Sequence, residues 1–174
     1  MTNQEEYNAA IELAAQARDS LRSLAGVVEH LRVIAQREAL LAASSASSVT
    51  NRKQLNRVIA DLNGIRRANY EQIDFVIRDG LRGLEPTADV SSLLLQFPLV
   101  GTYYHEWINV AEVREAQRVK AAMRMALINK EDAVLLGQRL TEAYDASKRS
   151  LASLVATVGN MVINETRMAE MRAA

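Results

Sequence analysis

The residues that break helices are concentrated in one stretch of this chain, residues 80–107. The stretch holds both prolines, Pro86 and Pro98, with three of the seven glycines and four of the eight aromatic residues. Proline lacks a backbone donor and clashes with the preceding turn, so a long helix does not continue through such a region. On either side, apolar residues recur at helical spacing. We therefore predict a compact apolar corner at residues 81–108 that joins two long helical arms.

The composition favours an all-α fold. Apolar residues make up 49% of the chain and aromatic residues 5%, and seven glycines supply few of the turns that a β-protein needs. A length of 174 residues suits one domain with a substantial core. We predict a single elongated bundle of long antiparallel helices, with a first hairpin arm at residues 3–80 and a second arm at residues 109–172.

The first arm contains a heptad seam. Two interleaved series of apolar or small residues form it: Tyr7, Ala14, Leu21, Val28 and Ala35, and Ala10, Ala17, Leu24 and Leu31. A seam of this length indicates coiled-coil-like packing. Thr2 and Glu5 have the spacing of a capping box, which predicts a helix start at about residue 3.

A serine-rich stretch, residues 42–50, interrupts the first arm. Serine side chains compete for backbone hydrogen bonds and favour caps and turns, so we interpret this stretch as the tip of a helical hairpin. A continuous but weak helix is the alternative. The return helix starts near Asn51 and ends between Gly80 and Gly83. Gly64 inside this helix suggests a close approach to the alanine-rich first helix.

Within the corner, either Thr87 or Asp89 is positioned to cap a short helix that Pro98 ends. Gly101 then predicts a turn, and Tyr103, Tyr104 and Trp107 are positioned to start the next helix. The second arm has a candidate capping box at Asn109 and Glu112. The pair Asn129 and Asp132 predicts a break within that arm, and Gly159 predicts a soft point in the last helix.

No residue pattern indicates catalysis, a cofactor or a metal. Cysteine is absent, and the two histidines, His30 and His105, stand outside any metal-ligand spacing. Lysine plus arginine balance aspartate plus glutamate at 21 each, so no net charge draws the chain to nucleic acid. No apolar run is long enough to span a membrane. The first residues lack the features of an export signal, which leaves a cytoplasmic protein or a mature exported form.

The corner holds the candidate functional residues. Its apolar and aromatic side chains are Leu94, Phe97, Tyr103, Tyr104 and Trp107. Aromatic side chains commonly anchor protein interfaces, so we predict a partner-binding surface, with Tyr104 and Trp107 touching a neighbouring subunit. The alternative is that the cluster simply closes one end of the bundle.

The chain resembles the TrbJ-type conjugative transfer proteins, relatives of the minor pilins of type IV secretion systems. The resemblance covers about residues 60–170. It rests on the helix Leu62–Gly80, the pair Phe97-Pro98, the element Tyr104-His-Glu-Trp107 and the Ala- and Met-rich helix that follows. Residues 11–21, 31–36 and 52–65 are also similar to the paired helices of the flagellin stem. Both resemblances imply a subunit of an assembly.

Together these observations predict a non-enzymatic structural subunit of a secretion, conjugation or other surface or virion machine. Such a subunit acts through helix packing with protein partners, including copies of itself in a homo-oligomer. The alternative is a cytoplasmic helical adaptor or regulatory module that recognises one protein partner.

Overall fold

The computed structural model describes residues 3–45 and 52–174. Five helices account for most of them: α1 (Asn3–Ser44), α2 (Arg52–Leu84), α3 (Val90–Gln96), α4 (Tyr104–Ile128) and α5 (Ala133–Ala173). The described residues form no strand, and their single β-bridge joins Leu99 to Thr102 within a turn. The prediction of an all-α helical bundle is confirmed.

Neighbouring long helices are antiparallel. Between α1 and α2, Leu24 lies against Gly80, while the Leu31 carbonyl accepts a hydrogen bond from Asn69. Further along the chain α1 and α5 meet through Leu21 with Gly159 and Leu40 with Gly137, and α2 and α4 meet through Asp74 with Tyr104 and Arg66 with Glu112. The long helices therefore run up, down, up and down, with α1 and α4 on a diagonal.

The core has two apolar parts. One lies toward the corner and includes Leu24, Ile73, Tyr104 and Val155. The other lies toward the α4–α5 turn, where small alanines of α1 pack with larger side chains such as Leu140. Of the α1 alanines here, Ala35 belongs to the predicted heptad seam, and coiled-coil-like packing stays a prediction.

The predicted hairpin tip falls largely outside the described residues. Helix α1 ends at Ser44, and residues 46–51, which include most of the serine-rich stretch, are not described. The alternative of a continuous helix and the Thr2 cap also concern residues outside the described ranges. What the structure does show is that α1 and α2 pack antiparallel, as a hairpin requires.

The corner follows its prediction closely at α3. Asp89 caps this helix by accepting a hydrogen bond from the Ser92 backbone N–H. Gly101 takes a positive φ of 80°, which glycine adopts without strain, and so supplies the predicted turn. Helix α2 continues past Gly80 and Gly83 and ends at Leu84.

Helix α4 begins at the aromatic residues, the first of the two starts that the sequence indicated. Its first residue is Tyr104, and the Tyr103 backbone N–H donates to the Glu106 carboxylate in a capping arrangement. The capping box predicted at Asn109 and Glu112 is therefore wrong, because both residues lie inside α4. The sequence placed possible helix starts at the aromatic residues and at Asn109, and the folded corner uses the first.

The break in the second arm is confirmed. Helix α4 ends at Ile128, and Asp132 caps α5 by accepting a hydrogen bond from the Leu135 N–H. Lys130 in the connection has a positive φ of 50°, which reverses the chain direction within a few residues.

The close helix approaches occur at other glycines than predicted. A Cβ atom added at Gly64 would meet nothing within 4 Å, so the predicted contact there is wrong. A Cβ at Gly80 would come within 2.6 Å of Leu24, and one at Gly159 within 2.1 Å of Leu21. Gly159 is thus a packing contact between α1 and α5 within a continuous helix.

Candidate functional site

The five predicted corner residues divide between core and surface. Leu94 and Tyr104 are buried inside the bundle, whereas Tyr103 is exposed and Phe97 and Trp107 are half-buried. A partner cannot reach Leu94 or Tyr104 while the bundle is closed. A partner surface at the corner stays a prediction, and it now depends on Phe97, Tyr103 and Trp107.

Hydrogen bonds hold the corner aromatics in place. The Tyr104 hydroxyl donates to the Asp74 carboxylate at 2.8 Å, and the Arg78 guanidinium lies over the Tyr104 ring, 5.1 Å from its centre. The Trp107 indole N–H donates to the Leu99 carbonyl at 2.8 Å. These bonds join α2, the turn before α4 and α4 itself, so the corner closes one end of the bundle.

A charged cluster lies inside the bundle. The Arg32 guanidinium on α1 forms a two-pronged ion pair with the Glu115 carboxylate on α4, and the two side chains are 3% and 0% exposed. Arg32 also donates to the Asn69 side-chain oxygen at 2.8 Å. The pair links diagonal helices across the middle of the core, which is why the apolar core divides into two parts there.

Two tyrosine rings enclose the Arg32 guanidinium. The centre of the Tyr70 ring is 5.4 Å away and that of Tyr144 is 4.9 Å away, so both rings provide cation–π contacts. Burial, reinforced by the Glu115 charge, raises the pKa of the Tyr70 hydroxyl. The same causes raise the pKa of Tyr144 to about 12. Both tyrosines are therefore neutral at physiological pH.

This cluster was missed by the sequence reasoning. Arg32 follows Val28 by four residues and precedes Ala35 by three, so it occupies a core position of the seam, and that spacing was the available signal. Its partner Glu115 is 83 residues away on another helix and carries no comparable mark. The cluster is enclosed, and its visible chemistry is the mutual neutralisation of two charges.

A groove runs along the outside of the α4–α5 contact. Its cavity volume is about 290 Å³, and small side chains such as Ser150 and Ser153 of α5 leave it open. Trp107, Val110 and Leu154 supply apolar surface at the corner end. Toward the other end, the rim is basic.

The basic rim of this groove consists of Arg114 and Arg118, which are exposed and lie one helical turn apart on α4. Neither arginine forms an ion pair with any of the described residues. The groove continues past Arg118 to Arg139 and Glu142. Arg139 is already bonded to Glu131, which leaves the two α4 arginines as the available cations.

Helix α1 runs past the end of α2. Helix α5 continues at the same level, because Leu21 opposite Gly159 places Ala173 level with about residue 7 of α1. Because Gly80 faces Leu24 in an antiparallel pair, the end of α2 at Leu84 is level with residue 20 of α1. Residues 4–13, which we call the α1 extension, are exposed without exception. Its large apolar side chains are strongly exposed: Tyr7 by 62%, Ile11 by 52% and Leu13 by 60%. The heptad seam thus continues into a segment that nothing in the described chain covers.

Neither a membrane span nor a metal cluster is found among the described residues. Within 3–45 and 52–174, no helix has both the length and the hydrophobicity that crossing a bilayer requires. In the same ranges, no three His, Asp or Glu side chains converge where they could hold a metal ion.

Comparison with known proteins gives no match. No protein family matches the chain, and neither a curated protein sequence nor a solved structure is significantly similar to it. The functional argument therefore starts from the geometry of the bundle.

Proposed function

We propose that the protein is a non-enzymatic structural subunit of a larger assembly, acting through helix packing. The observation that carries the proposal is the α1 extension, a helical segment with an apolar seam that no part of the described chain covers. Large apolar side chains exposed together commonly mark a protein interface. The resemblance to TrbJ-type proteins suggests the kind of machine: secretion, conjugation, or another surface or virion assembly.

The seam itself supports this function. Tyr7 and Ile11 are four residues apart, so they lie on one face of the helix. In α1 residues further along, the same heptad pattern is buried by α2 and α5. A seam that is satisfied inside one part of a helix and open in another is typical of a helix that packs on a partner.

The proposal is tested by the native size of the chain. A tagged copy expressed at natural level in its own host should sediment from a cell extract well above the 19.3 kDa of one chain. The variant Tyr7→Asp/Ile11→Asp should no longer sediment at this larger size, because two charges replace the exposed apolar face of the α1 extension. A matched control, Ile128→Asp/Val134→Asp, changes two exposed apolar residues at the opposite end and should keep it.

Circular dichroism of the purified variants establishes that the bundle is folded in each. If the unmodified chain sediments as a 19.3 kDa monomer in the extract, it is not an assembly subunit. Equal loss of size in both double variants would remove the α1 extension as the reason for assembly.

A second function is favoured by the α4–α5 groove. An adaptor or regulatory module would receive one helix of another protein there, with apolar contacts on the floor and charge contacts at Arg114 and Arg118. Such a module stays monomeric when purified and forms a complex of fixed 1:1 size with its partner, which light scattering distinguishes from an open assembly.

A further inference from the structure

The geometry points to the occupant of the α4–α5 groove: the α1 extension of a second copy of this chain. This inference rests on the proposed assembly function and adds its partner and its mode of contact. Each copy offers a groove and an extension, and the two features lie on different parts of the molecule. Joining them makes a head-to-tail contact, which leaves a free groove and a free extension at the two ends of every open oligomer.

Charge complementarity selects this occupant. The α1 extension contains three glutamates, Glu5, Glu6 and Glu12, and no lysine or arginine. The groove rim contains Arg114 and Arg118, which have no acidic partner among the described residues. An acidic helix placed along that rim brings opposite charges together. Its glutamates also offset the repulsion between the two arginines.

The apolar surfaces match as well. Tyr7 and Ile11 form one exposed face of the extension. The groove presents Trp107, Val110 and Leu154 next to small serines, which leave room for side chains entering from outside. An aromatic anchor in a groove between two helices is a common form of helix recognition.

The competing symmetric arrangement is disfavoured by charge. If two α1 extensions packed on each other, three glutamates would face three glutamates with no basic residue in either segment. Like charges held at an interface oppose association and exclude wrong partners. The groove arrangement avoids this repulsion, so a second copy is expected to dock there.

Two variants of the full chain test the inference. The groove variant, Arg114→Glu/Arg118→Glu, keeps a normal extension, and the extension variant, Tyr7→Asp/Ile11→Asp, keeps a normal groove. Each should remain monomeric by light scattering up to about 0.5 mM, a range chosen because a ten-residue helix gives a small interface of micromolar or weaker affinity. The unmodified chain should grow in mass over the same range.

Mixing the two variants gives the decisive measurement. The intact extension of the groove variant should enter the intact groove of the extension variant, and the product should stop at twice the 19.3 kDa of one chain. Trp107, the only tryptophan, lies in the groove, so its emission should shift to shorter wavelength in the mixture and not in either variant alone.

The control variant is Arg124→Glu/Arg149→Glu, which makes the same change in charge at exposed arginines outside the groove. It should associate like the unmodified chain, whereas the groove variant should bind at least tenfold more weakly. In a further variant, Glu6→Lys/Glu12→Lys should weaken association, and combining it with Arg114→Glu/Arg118→Glu should restore it. Association of the unmodified chain and of the combined charge-swapped variant should weaken in about 1 M salt, where charges are screened within about 3 Å.

Two results would overturn the inference. One is a groove variant that associates as strongly as the unmodified chain, and the other is an unmodified chain that stays monomeric at every concentration. A monomer in purified form that is nevertheless large in host extract would leave the assembly function standing, with a different protein as the partner. A monomer in both would remove both proposals.

Discussion

Helix α1 places one heptad seam in two environments. At Leu24, Val28 and Ala35 the seam is buried in the bundle, and the charged Arg32 is enclosed there as well. Between residues 4 and 13 the seam residues Tyr7 and Ala10 are exposed, as is the neighbouring Ile11. The comparison teaches that the seam and its partner are separate properties. In the buried part the chain supplies the partner itself, and in the extension another molecule has to supply it.

Arg32 makes the contrast sharper. A buried charge is stable only when it is paired and hydrogen-bonded, and Arg32 has both Glu115 and Asn69. The extension shows the reverse situation, because there apolar side chains, which are usually buried, are exposed to water. One region therefore depends on an internal contact, and the other is available for an external contact.

The largest expected effect is on the buried pair. Glu115→Ala leaves the Arg32 charge enclosed without its partner, which should lower the free energy of unfolding by about 3–5 kcal/mol. Urea unfolding followed by circular dichroism measures the change. The double variant Arg32→Met/Glu115→Leu removes both charges and should recover most of the loss.

Glu29→Ala is the matched control for that prediction, because it removes the exposed ion pair of α1 with Lys148. Solvent screens such a pair, so stability should stay close to that of the unmodified chain. If Glu115→Ala and Glu29→Ala behave alike, the enclosed cluster does not stabilise the core.

A second pair of variants compares the two parts of α1 directly. Leu24→Ala removes a buried side chain and should lower the free energy of unfolding by about 2–4 kcal/mol. Leu13→Ala makes the same chemical change in the extension, where the side chain is 60% exposed, and should change stability by at most about 0.5 kcal/mol. Urea unfolding of monomeric samples measures both. Similar losses would mean that the extension is packed within its own chain.

The third prediction concerns alkaline pH. Tyr144 has a pKa of about 12 when folded, against an ordinary value of 10.0, so the unfolded chain releases this proton first as the pH rises. The stability that the raised pKa of Tyr144 contributes is complete below pH 10 and is lost as the pH rises from 10 to 12. Each unit of pKa difference corresponds to about 1.4 kcal/mol of unfolding free energy. Guanidinium unfolding across this range should show stability falling with pH.

Tyr144→Phe should make the decline of stability with pH shallower. Burial also raises the pKa of Tyr70, so Tyr70 should account for part of the decline that remains in this variant. Below pH 9 the variant and the unmodified chain should show the same pH dependence. A decline of unchanged steepness in Tyr144→Phe would show that other groups control the alkaline unfolding.

The smallest effects are expected at two glycines. Gly64→Ala meets open space and should stabilise the chain by up to about 1 kcal/mol through helix propensity. Gly159→Ala forces the Leu21 side chain to move, and this overpacking should give a net loss of about 1 kcal/mol. Thermal unfolding separates the two, and adding Leu21→Ala should remove the penalty specific to Gly159→Ala.

The local features of the fold followed from the sequence. Pro86, Pro98 and Gly101 located the corner, Asp89 and Asp132 located helix starts, and apolar spacing indicated the buried face of α1. Each of these depends on residues within a turn or two of one another. The start of α4 stayed open between the aromatic residues and Asn109, and only the folded corner selects Tyr104.

The candidate sites could not be predicted to the same extent. Leu94 and Tyr104 were chosen as interface anchors because they are apolar and aromatic, and burial in the bundle applies to the same kinds of residue. The groove was invisible in the sequence, since Arg114 and Ser150 become neighbours only when α4 and α5 pack. A close helix approach was predicted at Gly64 and a soft point at Gly159, yet of these two only Gly159 packs against another helix.

What the sequence by itself determined is which segments are helical and which face of each is apolar, because both depend on spacing within a few turns. The tertiary structure alone decided which helices are neighbours and how far each runs past the next. That registration brings Arg32 to Glu115 across 83 residues and leaves residues 4–13 beyond the end of α2. Helical periodicity repeats identically along a helix, so it cannot specify where along that helix a partner stops.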